Sequence, residues 1–212
     1  FAEGLVTIEE EAIYGCSALT GLNLPSTLVS IGKKAFANCS LLTGTVTMPE
    51  KVTYLGEYAF EGCKALTGVV LPGSLTSIGQ YTFRNCTGLA TVSFAEGLTE
   101  ISQYAFYGCT GLTGIELPST LEMIGSCAFY NCTGLTGDLV IPAAVTDIGS
   151  SAFCGCTGLD GTLTLEAGVK TIGSRAFADC GRLVKIHVPD SVTQIAADAF
   201  ANSSNVVLVC ES

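Results

Sequence analysis

The chain has 212 residues, of which 48% are apolar and 13% charged, and this composition excludes an intrinsically disordered segment. A formal net charge of −10 argues against a nucleic-acid backbone or an anionic membrane surface as partner. The apolar residues come in runs much shorter than the ~18 needed to cross a bilayer, so we expect no membrane insertion in this segment.

The first element of the chain already indicates a repeat, because the opening Phe-Ala-Glu-Gly-Leu returns at residues 94–98. An Ala-Phe dipeptide, or one of the variants Ala12-Ile13 and Thr82-Phe83, recurs every 23 or 24 residues in nine units. The unaltered copies begin at Ala35, Ala59, Ala105, Ala128, Ala152, Ala176 and Ala199. Since the chain starts partway through a unit, we expect residues 1–212 to form a single solenoid domain, cut from a longer array.

Each unit predicts a short strand followed by a short helix. Leu-Thr-Gly-Ile-Glu-Leu-Pro at residues 112–118 alternates apolar and polar residues, which is typical of a strand with one buried face. Gly-Ser-Cys-Ala-Phe-Tyr-Asn at residues 125–131 predicts about two helical turns, with Ala128 and Phe129 facing the core. The residue before each repeat cysteine is Gly, Asn or Asp, as a left-handed helix end often requires.

A single unit is too small to bury its own apolar stripe, so the units are predicted to stack into a solenoid with a parallel strand in every turn. Three units have one extra residue after the leucine that begins the strand, within residues 42–49, 135–142 and 159–166. A loop residue or a β-bulge would accommodate it.

Most of the cysteines share one position of the repeat. They are Cys16, Cys39, Cys63, Cys86, Cys109, Cys132, Cys156 and Cys180, and Ser203 takes the ninth place. Stacking places them ~4.7–5 Å apart, whereas a disulfide needs β-carbons ~3.8 Å apart, so we expect free, buried thiols. The single residue between Cys154 and Cys156 is too short for a typical zinc motif, so we expect no metal.

The three remaining cysteines lie outside this ladder. Cys127 and Cys154 are predicted to be exposed, with β-carbons ~7 Å apart, which is too far for a disulfide without backbone movement. The state of Cys210, at the end of the last strand, cannot be inferred from the sequence.

These motifs resemble the BspA-like leucine-rich repeats, a family of surface proteins of bacteria and some protozoa. The resemblance covers essentially the whole chain and is carried by segments such as Leu-Thr-Ser-Ile-Gly-Gln-Tyr-Thr-Phe-Arg-Asn-Cys at residues 75–86. Its specific feature is the combination of Ile-Gly-x-x-Ala-Phe-x-x-Cys with Leu-Pro-x-Ser in the repeat unit. The resemblance implies an α/β solenoid, a right-handed leucine-rich-repeat superhelix in an extracellular or cell-surface protein. No binding motif of the family can be transferred to individual residues here.

The sequence offers little for catalysis, and we expect neither an enzyme nor a cofactor. The one histidine, His187, lies in a predicted strand and is expected to point outward into solvent, and no carboxylate pair repeats. Asn38, Asn85, Asn131 and Asn202 match the glycosylation pattern. Their place at the predicted helix end explains them equally well, so their modification stays open.

Two surfaces compete as binding sites. One is the outward face of the predicted strands, formed by Asn23, Thr47, Val70, Ser93, Glu116, Val140, Thr164 and His187. The other is a stripe of five tyrosines in two neighbouring positions of consecutive units, Tyr58, Tyr81, Tyr104, Tyr107 and Tyr130. The same positions elsewhere hold Lys34, Arg175, Asp198 and Ala178, so the repeat does not require an aromatic residue there. The alternative is that the rings lie flat and shield the core.

Two main functions follow, with a weaker third. A non-catalytic cell-surface module would bind a protein or glycan ligand through the tyrosine stripe, which we favour because tyrosine is enriched in interface cores. A structural spacer would need only the regular core. An intracellular interaction scaffold would agree with the reduced cysteines. In each case we expect a monomer that does not bind nucleic acid.

Overall fold

The computed structural model describes residues 1–204 and 206–210, which form a solenoid of parallel strands. Each turn of the solenoid contributes a two-residue strand, and most turns add a longer one. The two-residue strands are β1 (Thr7–Ile8), β2 (Ser30–Ile31), β4 (Tyr54–Leu55), β6 (Ser77–Ile78), β8 (Glu100–Ile101), β9 (Met123–Ile124), β11 (Asp147–Ile148), β13 (Thr171–Ile172) and β15 (Gln194–Ile195). The longer strands are β3 (Gly44–Thr47), β5 (Leu66–Val70), β7 (Thr91–Ser93), β10 (Leu139–Ile141), β12 (Thr162–Leu165), β14 (Lys185–Val188) and β16 (Val207–Cys210).

The strands pair between successive units, which confirms the repeat register derived from the sequence. The longer strands form two sheets, in the orders β3-β5-β7 and β10-β12-β14-β16. In the two-residue ladders each Ile faces the Ile or Leu of the next unit, as in Ile124 opposite Ile148. The two-residue strands were not predicted, because a strand this short leaves no alternating pattern in the sequence.

The predicted helix at residues 125–131 is wrong, and no helix occurs among the residues that the structure describes. Cys127 and Asn131 both have left-handed backbones, with φ of 55° and 56°, which stops a right-handed helix from forming. The N–H groups of Ala128 and Tyr130 donate three residues back along the chain. That of Phe129 instead donates to the carbonyl of Ala152 in the next unit, at 2.7 Å. The segment is therefore a run of turns whose alternate hydrogen bonds join the units.

The left-handed position before each repeat cysteine is confirmed, although it does not end a helix. The residues there have φ between 56° and 75°, and they are Gly15, Asn38, Gly62, Asn85, Gly108, Asn131, Gly155, Asp179 and Asn202. No helix in the described part of the chain is long and apolar enough to cross a membrane.

Two predicted strands are also wrong, because residues 19–25 and residues 112–118 form no strand. The two long sheets end on either side of residues 112–118. The following unit inserts an extra residue at Gly137, which has φ of 75°, and so delays the start of β10. The preceding unit carries Phe94 where its neighbour carries Leu71, and the Phe94 ring packs edge-on against Phe106, with ring centroids 5.9 Å apart.

The predicted bulge is confirmed in another unit, where the pairing register shifts between Gly44 and Thr45.

The two copies of Phe-Ala-Glu-Gly-Leu make the same contacts. Glu3 accepts hydrogen bonds from the backbone N–H and the hydroxyl of Ser26, and Glu96 does the same with Ser119 at 3.1 and 3.0 Å. The N–H of Gly97, where φ is 108°, donates to the Thr120 hydroxyl at 3.0 Å. The motif is thus a clamp between one unit and the next.

The core is one cluster of apolar side chains from Ile8 to Ala199. The repeat phenylalanines stack in it with ring centroids 5.0–5.6 Å apart, along Phe36, Phe60, Phe83, Phe106, Phe129, Phe153, Phe177 and Phe200. All eleven cysteines are free, and those of the ladder are buried apart from Cys16. Burial raises the pKa of Cys63, Cys109 and Cys180 to about 12.

The ladder cysteines also make a polar contact that the sequence did not suggest. From Cys63 to Cys180, each ladder thiol donates to the phenylalanine carbonyl of the preceding unit, as Cys109 does to Phe83 at 3.1 Å. Cys39 donates to the Ile13 carbonyl in the same way, at 3.1 Å. Ser203 makes the equivalent bond to the Phe177 carbonyl at 2.9 Å. The position therefore selects a small side chain with one hydrogen to donate.

Candidate partner-binding site

The tyrosine stripe lies on the turns that replace the predicted helices. Tyr58, Tyr81 and Tyr104 have left-handed backbones, with φ of 58–60°. Their N–H groups donate to the next unit, as that of Tyr58 does to the Gln80 carbonyl at 3.0 Å. This backbone directs the tyrosine side chain outward while the following two residues turn into the core. Lys34 and Ser151 adopt the same conformation in their units, so the scaffold sets the backbone and leaves the side chain free to vary.

Three of the tyrosines form a first row along the solenoid axis. The rings of Tyr58 and Tyr81 stack with their centroids 4.5 Å apart and an angle of 6° between their planes. The rings of Tyr81 and Tyr104 stack in the same way, with a centroid distance of 4.8 Å and an angle of 3°. A second row, Tyr107 and Tyr130, stacks at 4.9 Å and 3°. The five rings are half-buried, and the structure brings them into one group, which we call the tyrosine cluster.

The two rows meet at a corner. The rings of Tyr104 and Tyr107 lie 5.8 Å apart and are tilted by 52°. A cleft of about 300 Å³ opens there, lined by Tyr58, Tyr81, Arg84, Tyr104 and Tyr107. The cluster therefore has a concave side as well as a ridge of ring edges.

Arg84 belongs to this site, although the sequence analysis missed it. Its guanidinium carbon lies 5.7 Å from the ring centroids of both Tyr81 and Tyr107, and Nη1 donates to Glu61 at 3.1 Å. Arg84 occupies the same position of the repeat as Tyr107 and Tyr130. Aligning that position across all units, and not its tyrosines alone, would have found it.

The tyrosine hydroxyls are available to a ligand. No hydrogen bond joins those of Tyr58, Tyr81 or Tyr107 to another residue in the described part of the chain. No buried side-chain polar atom lacks a partner in that part either, so these hydroxyls face solvent. Burial, together with the neighbouring Tyr81, raises the pKa of Tyr58, and the Cys127 thiol raises that of Tyr104. The hydroxyls of Tyr58 and Tyr104 are therefore protonated at neutral pH.

Each row ends on a cysteine. Cys127 follows Tyr104 in the first row and is half-buried, while Cys154 follows Tyr130 in the second and is 1% exposed. The prediction that Cys154 is exposed is wrong, because Arg175 of the next unit lies against it, with Nη2 3.8 Å from the sulfur and 2.8 Å from Asp179.

The competing strand face is less regular than predicted. Asn23 and Glu116 lie outside any strand. His187 is half-buried, and it alternates along β14 with the buried Ile186 and Val188, as an outward strand position does. A groove of about 490 Å³ marks the break between the two long sheets, lined by residues 91–94, 114–116 and Asp138. Within the described ranges no group of three or more His, Cys, Asp or Glu side chains is arranged to hold a metal ion.

Comparisons with known proteins agree with this architecture. A family model described as a BspA type leucine rich repeat region matches residues 6–136 and 136–209. No curated protein matches the chain.

Three solved structures illustrate the similarity. A leucine-rich repeat protein from Bacteroides ovatus is 30% identical with a TM-score of 0.79, over 99% of this chain and 59% of that one. This chain therefore spans less than two thirds of that protein. A leucine-rich repeat protein of T. pallidum is 34% identical with a TM-score of 0.73, over 78% of each chain. A leucine-rich cell surface protein from Faecalibacterium prausnitzii is 25% identical with a TM-score of 0.56, over 98% of this chain and 79% of that one.

Proposed function

Since the chain belongs to the BspA-type leucine-rich repeat family, we propose that it is a non-catalytic binding module of a cell-surface protein, with a protein or glycan as ligand. The tyrosine cluster is the observation that carries this proposal. Five aromatic side chains and one arginine gather on a surface where the other units, apart from Tyr14 in the first unit, have small or charged residues. Tyrosine and arginine are, with tryptophan, the residues enriched at the energetic centres of interfaces.

The surface location rests on a separate observation. One of the similar structures is described as a leucine-rich cell surface protein. A repeat array exposed on a cell and carrying an unusual aromatic group is suited to adhesion or to contact with a host or another cell. The ladder of parallel strands and stacked phenylalanines also supports a second role as a spacer, since such a core holds its ends at a fixed distance.

The test is a screen of the purified chain against extracellular-matrix proteins and glycans, repeated with the double variant Tyr81→Ser/Tyr104→Ser. Serine is compatible with this backbone, because Ser151 has the same left-handed conformation in its own unit. We expect the variant to lose ~2 kcal/mol or more of binding free energy, as for an interface anchor, with an unchanged melting temperature.

Two results would contradict the proposal. Retained affinity with a lowered melting temperature would show that the rings only shield the scaffold, and the strand face would then be the binding site. A wild-type chain that binds none of the ligands would leave the spacer role as the better description.

A further inference from the structure

The stacking of the tyrosine cluster limits the kind of ligand it can hold. Tyr81 has another ring against each of its faces, at 4.5 and 4.8 Å. A sugar packs its C–H groups against an open aromatic face, whose π-electrons carry the negative charge of the ring. In the first row the inner faces are already covered by neighbouring rings. The cluster therefore offers edges and hydroxyls, not a stacking platform for a glycan.

The spacing of the rings suits a particular backbone. The two successive spacings of 4.5 and 4.8 Å between Tyr58 and Tyr104 together match one turn of a polyproline II helix, ~9.3 Å from three residues at 3.1 Å. A polyproline II segment lying along the row would thus present equivalent side chains to every second tyrosine. The corner between Tyr104 and Tyr107 provides the cleft that such a ridge would fill.

The hydrogen-bonding groups are complementary as well. A run of prolines has carbonyl acceptors that are not used within the helix, and it has no N–H donors. The cluster presents hydroxyl donors from Tyr58, Tyr81 and Tyr107, and a guanidinium at Arg84 that has committed one of its five N–H groups to Glu61. Aromatic grooves with such donors are a general way of binding proline-rich segments.

We propose that the tyrosine cluster and Arg84 bind a proline-rich segment in the polyproline II conformation, with its axis along the solenoid. The inference rests on the proposed function and specifies its ligand as an extended peptide. The ordering cost of binding is small because polyproline II is already populated in the free peptide.

The experiment measures binding of fluorescein-labelled decaproline to the chain by fluorescence anisotropy, with a labelled Gly-Ser decapeptide and unlabelled cellohexaose as comparisons. We expect saturable binding of decaproline, none of the Gly-Ser peptide, and no competition from cellohexaose. Tyr81→Ser and Tyr104→Ser should each weaken the affinity at least tenfold.

Two further variants make the test specific. Tyr81→Phe keeps the ring stack and removes only the hydroxyl, so it should fold normally and still weaken decaproline binding severalfold. Tyr54→Ser is the matched control, since Tyr54 lies on β4, outside the cluster, and is 53% exposed. Its affinity should stay within twofold of the wild type.

The outcomes separate this inference from the proposed function. Absence of saturable decaproline binding, or equal affinity of Tyr81→Ser and Tyr54→Ser, overturns it. A ligand from the screen that requires Tyr81 but is not displaced by decaproline also overturns it, while leaving the binding module in place. A ligand that is indifferent to both Tyr81 and Tyr104 contradicts the proposed site itself.

Discussion

The glycine after the core isoleucine allows a sharp test of how tightly the units pack. A β-carbon added at Gly125 would lie 2.6 Å from the backbone nitrogen of Gln103 and 2.7 Å from the carbonyl carbon of Ser102, closer than real β-carbons approach backbone. At Gly79, the same position of an earlier unit, the nearest atoms are 3.3 and 3.4 Å away. Ser102 already holds a side chain at this position in the unit between them.

The two substitutions Gly125→Ala and Gly79→Ala should therefore differ in their effect on the free energy of unfolding. Replacing glycine by alanine stabilises by ~0.4–1 kcal/mol through the unfolded chain where the native backbone fits the new residue. At Gly125 the added methyl group would push the backbones of two units apart. Overpacking of this kind costs ~1–3 kcal/mol, which exceeds the gain from the unfolded chain. We expect Gly125→Ala to lower the free energy of unfolding by roughly 1–2 kcal/mol, and Gly79→Ala to leave it unchanged or slightly raised.

Thermal unfolding followed by circular dichroism measures the difference. For a chain of this size 1 kcal/mol corresponds to ~2–4 °C, so Gly125→Ala should melt roughly 2–8 °C below the wild type. Gly79→Ala serves as the matched control for the loss of glycine alone. Equal melting temperatures for the two variants would refute the claim that contact with the preceding unit sets the difference.

Three other predictions follow from the core and the clamp. Cys109→Ser should lower the free energy of unfolding in urea by no more than ~1 kcal/mol, because Ser203 already donates the equivalent hydrogen bond in its own unit. A larger loss would contradict the polar role of this position. Thiol labelling at pH 8 should modify few ladder cysteines in the native chain, since burial raises their pKa, and all eleven after denaturation without reductant. Hydrogen bonds from Ser119 lower the pKa of the Glu96 carboxyl in the folded chain. The ionised Glu96 carboxylate therefore stabilises the fold at any pH above its pKa in the unfolded chain, and this stabilisation is lost as the pH falls through its lower pKa in the folded chain. The melting temperature of Glu96→Gln should therefore lie below that of the wild type at pH 7 and approach it at pH 3, and a difference independent of pH would argue against the ionised clamp.

The sequence by itself determined the features that repeat with the chain. The period of 23 or 24 residues, the inward Ile and Phe, the single cysteine position and the left-handed residue before it all follow from residue types at fixed spacing. Each depends on a local conformational preference or on burial, and stacking identical units brings identical residues together. The contact among the five tyrosines could be predicted for the same reason, because Tyr58 and Tyr81 occupy equivalent positions.

Contacts between non-identical neighbours required the tertiary structure. Gly62 and Gly108 follow units that carry Asn38 and Asn85, and a β-carbon at either glycine would lie 2.5 or 2.6 Å from the preceding asparagine oxygen. The alternation of Asn and Gly thus reflects where one side chain lies on the next unit. In the same way the burial of Cys154 depends on Arg175, which no pattern within one unit indicates.

The helix prediction failed for a related reason. Residues 125–131, with two inward positions, have a pattern that a short helix would also show. In the structure, however, every second N–H group of this segment donates to the neighbouring unit, as that of Phe129 does to the Ala152 carbonyl. Hydrogen bonds between units exist only once the units are stacked, so a single repeat does not show them. The sequence therefore determined which residues recur and which are buried, and the stacked structure decided how the backbone between them is hydrogen-bonded.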